Sequence, residues 1–206
     1  MTSLESLTTL AVLCKYISKN HIEGDVVETG VWRGGSALVC ARYLRSDQTL
    51  YLLDTYAGMT EPSVHDFRIG ENDNLRTIEK WHELQEGQTS RWVKADLKSV
   101  KDNFGRFKLL SEGIVFIEGK VEETIPKMML PKSFALIRID TDFYSSTKIA
   151  LETFWPRLRL GGFLILDDYA HWDGARRATD EYFKNEMPLM IPLSGGGGRL
   201  IIKSDL

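Results

Sequence analysis

Short runs of apolar and β-branched residues recur at Asp25–Thr29, Leu50–Leu53, Ile114–Ile117, Phe134–Ile139 and Phe163–Leu166, and helical spacing fills several of the intervals, at Ser36–Leu44, Asp96–Phe104 and Ser146–Trp155. This alternation constrains the fold more than any other feature of the chain. Neighbouring parallel strands need a crossover between them, and a helix supplies one while covering a sheet face. The pattern therefore predicts an α/β protein with a doubly wound, mostly parallel, Rossmann-like sheet. The rhythm breaks near the end, where Leu189–Leu193 and Leu200–Lys203 are separated only by Ser194–Arg199, a span that includes the glycine run Gly195–Gly198. Too short for a crossover, that connection predicts a C-terminal antiparallel hairpin.

At 206 residues, of which 43% are hydrophobic, the chain suits one folded domain spanning 1–206. Within it, Leu4, Leu7, Leu10, Ala11, Cys14 and Ile17 follow an N-cap at Ser3 and predict an N-terminal helix inside residues 1–23. A formal net charge of −3 offers no field to attract a phosphate backbone, which argues against nucleic acid as a partner. No basic, apolar leader opens the sequence and no run approaches a membrane span, so neither secretion nor membrane insertion is expected. Cys14 and Cys40, both on predicted helices among apolar neighbours, are expected to be reduced core thiols in a cytoplasmic protein.

Open parallel sheets bind ligands at the carboxyl ends of their strands. The first strand leaves through Glu28-Thr29-Gly30-Val31-Trp32-Arg33-Gly34-Gly35-Ser36, a glycine-rich bend into a helix whose spacing is not that of the dinucleotide fingerprint. The second strand ends at Asp54, 26 positions after Glu28, near where an acid grips ribose hydroxyls; a turn or capping role is the alternative. Glu28 and Asp54 together favour a nucleoside cofactor and suit a cationic one. Two later strands also end in acids, at Asp140-Thr141-Asp142 and at Asp167-Asp168. As neighbours about 4.8 Å apart they would bring Asp140, Asp167 and Asp168 together, and such carboxylates need a cation or a proton among them. All-oxygen ligation suits Mg²⁺, with a capping role for Asp167 or Asp168 as the alternative.

VVETGVWRGGS at Val26–Ser36, LLDTYAGM at Leu52–Met59, IRIDTDFYSST at Ile137–Thr147 and GGFLILDDY at Gly161–Tyr169 resemble the macrocin O-methyltransferase family of TylF type. The similarity runs from about Gly24 to Phe183 and takes in Asp96–Phe104, Glu118–Pro126 and Gly174–Phe183. The resemblance implies a class I methyltransferase fold, S-adenosylmethionine as methyl donor, Mg²⁺ as cofactor, and a hydroxyl on a sugar or other natural-product scaffold as acceptor. Residue by residue, it implies that Glu28, Thr29, Gly30 and Ser36 hold the methionine end of the donor, that Asp54 and Thr55 take the ribose, and that Gly119 and Lys120 lie near adenine, with Asp140 also beside the donor. Asp140, Asp167 and Asp168 would hold the metal, and either Asp140 or Asp142 would take the acceptor's proton.

The polar stretch Thr55–Ser90 is long for a connection inside a compact domain and is expected to be a substrate lid or a surface insertion. Trp81 within it and Trp92 just past it suit either sugar stacking or anchoring of the loop. His171 suits substrate contact or a backbone-bonded turn, and Arg176 and Arg177 suit a solvated helix face or contact with a partner. Two rival readings remain: a metal-dependent glycosyl- or phosphotransferase built on the Asp140-x-Asp142 pattern, and a non-catalytic homologue that keeps the donor site. The resemblance and the first helix's apolar stripe would both suit a homodimer, although that stripe more simply covers the sheet.

Overall fold

The structure, a computed structural model, describes residues 2–194 and 197–205. The N-terminal helix α1 (Leu4–Lys19) starts where the Ser3 side chain accepts the Ser6 amide at 3.1 Å. It buries Leu10, Leu13, Cys14 and Ile17 at three- and four-residue spacing. There follow β1 (Asp25–Thr29), α2 (Gly35–Tyr43), β2 (Leu50–Asp54), α3 (Leu75–Glu83), the two-residue strands β3 (Gln85–Glu86) and β4 (Thr89–Ser90), α4 (Leu97–Arg106), β5 (Ile114–Glu118) and the short α5 (Val121–Thr124). The chain continues through β6 (Phe134–Ile139), α6 (Tyr144–Phe154), β7 (Leu158–Leu166), α7 (Asp173–Tyr182), β8 (Ile191–Pro192) and β9 (Arg199–Ile202).

The main sheet has seven strands in the order β5-β2-β1-β6-β7-β9-β8. Pairings from β5 to β7 are parallel, and β9 joins antiparallel to β7 on one side and β8 on the other. Strand residues alternate between two cores because successive side chains point to opposite faces. Val26, Leu50, Leu52, Leu136, Phe163 and Ile165 pack with α1 and α2, whereas Val27, Leu53, Ile137, Ile139, Leu164 and Leu166 pack with α6. Both faces are covered, which explains the near-continuous apolar runs. Cys14 and Cys40 are free and buried in the first core, their sulfurs 3.9 Å apart.

The terminal hairpin is present but its outer strand is only Ile191–Pro192, shorter than the expected Leu189–Leu193. Pro188 and Pro192 lack the amide donors a ladder needs, which limits the pairing. Of the glycine run expected to make this turn, Gly195 and Gly196 lie outside the described residues. The β7 strand extends back to Leu158, five residues before the expected start at Phe163. Thr55–Ser90 is not structureless, since it contains α3 and the β3–β4 hairpin. Among the described residues, no helix is long and apolar enough to cross a membrane.

Candidate active site

The strand order reverses between β1 and β6, the place where a doubly wound sheet opens a crevice at its carboxyl edge. Each strand is tied to its neighbour one residue beyond its end. Gly30 N–H donates to Leu53 O, Asp140 N–H to Thr29 O, Asp167 N–H to Ile139 O and Gly119 N–H to Asp54 O, each at 2.9 Å. These bonds bring the residues that follow four strands to one level at the rim. Gly30 has φ +81°, and a Cβ there would collide with the Asp140 carbonyl oxygen. Only glycine lets the first bend pass this close to the acidic strand end.

The rim surrounds a cavity of about 370 Å³. Gly30, Ser36, Asp54, Thr55, Gly119 and Lys120 line it together with Asp140, Asp142, Asp167 and Asp168. The lining also includes His171 and, from the N-terminal segment, Thr2, Ser3, Ser6 and Leu7. Glu28 and Thr29 are not on this wall. The Glu28 side chain is wholly buried beneath it, accepting from Ser36 Oγ and, at 2.7 Å, from Arg138 Nη1. Thr29 points to the opposite face and is also wholly buried. Asp54 takes the turn role weighed for it and also lines the cavity. One of its oxygens accepts the Val31 and Trp32 amides at 2.7 and 2.9 Å and the other the Tyr56 amide at 2.8 Å, so it staples the glycine bend while facing the cavity.

Helix α2 begins at Gly34 without a side-chain cap, and Gly35 and Ser36 line the cavity. Its first-turn amides are thereby left for solvent or for an anionic ligand group. Lining the same cavity, carboxylate oxygens of Asp140, Asp167 and Asp168 lie within 4.8 Å of one another. Burial, with the neighbouring Asp167 and Asp168 charges, pushes the Asp140 carboxyl well above the usual range against the opposing pull of Arg138. Burial and the Asp142 and Asp167 charges do the same to Asp168. Asp142 is raised to about 7, by burial first and then by Asp140. Its backbone is left-handed, φ 59°, and its amide faces Asp168 Oδ2 at 3.4 Å. The cluster is thus short of positive charge, and an all-carboxylate donor set of this kind fits a hard divalent ion.

Sequence reasoning missed Arg138. It is a lone cation inside a strand whose every residue is buried, 2% exposed, and its guanidinium reaches Asp140 Oδ2 at 2.7 Å and Asp167 Oδ1 at 2.9 Å. An arginine interrupting an apolar run between acid-tipped strands was the available signal. Also missed was Asp66, 2% exposed, which accepts from Ser63 N and Oγ at 2.7 and 2.6 Å and from Tyr144 N at 2.7 Å, clamping the Thr55–Ser90 segment to the start of α6.

The tryptophans act as packing anchors. Trp81 Nε1 donates to Met59 O at 3.0 Å, and Trp92 packs 5.9 Å from Trp172 with Lys80 over its ring at 4.1 Å. The His171 amide donates to Asp168 O at 2.9 Å, and its carbonyl accepts from Ile69 N at 3.0 Å. Arg177 pairs with Glu181 at 3.2 Å, whereas Arg176 lies over the Tyr169 ring at 5.8 Å.

A mostly parallel sheet with an antiparallel terminal hairpin and a cavity at its reversal point is the class I methyltransferase architecture. The O-methyltransferase NovP superposes with a TM-score of 0.80 at 25% identity, over 98% of this chain and 81% of that one. The O-methyltransferase TomG from Streptomyces achromogenes, solved with S-adenosylmethionine, shares the fold at TM-score 0.62 and 12% identity, over 100% and 82% of the two chains. The macrocin-O-methyltransferase (TylF) family matches residues 1–195, and the chain belongs to that family. It is similar to a tetracenomycin-C rhamnosyl 4'-O-methyltransferase of Streptomyces olivaceus, 32% identical over 88% of this chain. It is also similar to the mycinamicin III 3''-O-methyltransferase of Micromonospora griseorubida, 31% identical over 88%. The chain spans 66% of the length of the first of these relatives and 69% of the second.

Proposed function

We propose that the protein is an S-adenosylmethionine-dependent O-methyltransferase that uses Mg²⁺ and acts on a hydroxyl of a sugar or sugar-bearing natural product. The observation that carries this reading is one cavity lined by the uncapped start of α2, by Asp54 and by the Asp140–Asp167–Asp168 cluster. The relatives' named acceptors, a rhamnosyl tetracenomycin and mycinamicin III, support the acceptor class.

Family membership and the uncapped helix support placing the donor's methionine end at Gly30, Gly35 and Ser36. Asp54 and Thr55 face the ribose, and Gly119 and Lys120 the adenine. Asp140, Asp167 and Asp168 would ligate Mg²⁺, which when bound lowers the pKa of an alcohol and fixes its direction. Asp142 is the better base of the two acids considered. Asp140 is held by Arg138, whereas a carboxyl raised to about 7 is matched to proton uptake near neutral pH. In this reading Asp142 takes the hydroxyl proton as the acceptor oxygen bonds to the donor methyl carbon, and the carbon–sulfur bond breaks to leave S-adenosylhomocysteine. The Asp66-clamped segment contributes Met59 and Thr60 to the acceptor side.

The test is methyl transfer from labelled donor to a panel of hydroxylated sugars and glycosides. Transfer that stops in chelator and returns with Mg²⁺ is expected; full turnover in chelator would remove the metal from the mechanism.

A further inference from the structure

Arg138 and Glu28 are register partners on β6 and β1, so both point to the sheet face covered by α1 and α2, directly under the acidic rim. The two side chains are 2% and 0% exposed. A simple buried ion pair would leave the guanidinium to Glu28 alone. Here the fork is divided: Nη1 serves Glu28 Oε1 and Asp140 Oδ2, both at 2.7 Å, while Nη2 serves Asp167 Oδ1 and Thr2 Oγ1, both at 2.9 Å. Buried ion pairs contribute little net stability, so the cost of desolvating these charges calls for another return.

We propose that Arg138 is a positioning residue for metal binding: its two-pronged guanidinium holds Asp140 and Asp167 in the arrangement from which a divalent ion is ligated, and Glu28 neutralises it. The inference rests on the Mg²⁺ reading above. Glu28 and Arg138 together add no net charge beneath the site, so the guanidinium fixes two acids without an uncompensated cation opposing the metal. It engages one oxygen of each acid, Asp140 Oδ2 and Asp167 Oδ1. The span between separate carboxylates needs a planar fork, which a lysine ammonium lacks. Through Thr2, the same guanidinium joins the acids to the N-terminal segment that lines the cavity.

Mn²⁺ titration without donor, read from loss of the free-ion electron paramagnetic resonance signal, tests this independently of turnover. The double variant Glu28→Gln/Arg138→Met removes the pair while leaving the net charge unchanged, so lost affinity reports orientation rather than field. It is expected to melt cooperatively and to bind Mn²⁺ at least about tenfold more weakly than the parent, the scale seen when groups supporting metal ligands are removed. Arg138→Lys, which keeps the buried charge but not the fork, is expected to lose about as much, and it carries the test if the double variant does not fold. Parent-like affinity in either folded variant would overturn the proposal while leaving the metal reading intact. Absence of Mn²⁺ binding by the parent protein would overturn both.

Discussion

Asp142 occupies a backbone conformation that few side chains other than asparagine and aspartate tolerate, and that conformation turns it toward Asp168 rather than continuing the strand. Its carboxyl, raised to about 7, is protonated in mildly acidic solution and cannot then accept a proton. Bound Mg²⁺ would offset the Asp140 and Asp167 charges that help raise it, so methyl transfer should rise with pH and level off at or below about 7. Asp142→Asn should slow single-turnover transfer by about 10²–10⁴-fold, the usual worth of a positioned base, with S-adenosylhomocysteine affinity unchanged. A variant within a few-fold of the parent rate would assign the proton to another group.

The acids themselves were legible in the sequence, because each closes an apolar run and strand ends in such sheets face the ligand. Arg138 was not. Its role depends on which residue of β1 lies opposite, and the register of parallel strands joined by a long crossover is not written in either strand. The same ignorance put Glu28 on the donor wall, whereas register places it under that wall, engaged by Arg138 and Ser36.

At the scale of elements, the Thr55–Ser90 segment is held down at identifiable points. Gly58 has φ +99°, and a Cβ there would strike the Ser90 carbonyl oxygen, so the segment's two ends pass in close contact. Met59 pairs with Ser90 and Trp92 through backbone bonds of 2.9 and 3.2 Å. Asp66 supplies the attachment to α6. Asp66→Ala would leave the Ser63 and Tyr144 donors without their acceptor, at a cost of about 1–3 kcal/mol. The expected result is a lower melting temperature and a raised acceptor KM, with donor-product binding retained; an unchanged KM would detach the segment from acceptor handling. The sequence marked this stretch as an insertion because its apolar spacing is weak. Its helix and hairpin escaped notice because polar and charged residues dominate them, and α3 buries only Thr77 and Trp81.

The whole molecule is a covered sheet whose binding rim is assembled from residues far apart in the chain, from Thr2 to Gly198. Alternating strand and helix patterns disclosed the sheet, since parallel strands buried on both faces must be apolar throughout. The N-terminal helix was read as a cover for the sheet, which it is, but its opening turn also lines the cavity, and amphipathic spacing says nothing about what a helix end touches.

Methyl transfer by this protein requires that the rim bind the methyl donor. Calorimetric titration of the purified protein with S-adenosylhomocysteine, beside UDP-glucose as a control nucleotide, tests it most directly. Saturable binding of S-adenosylhomocysteine alone, in the micromolar range of about −8 kcal/mol, is the predicted result. No binding by folded protein, or binding of UDP-glucose instead, would contradict it.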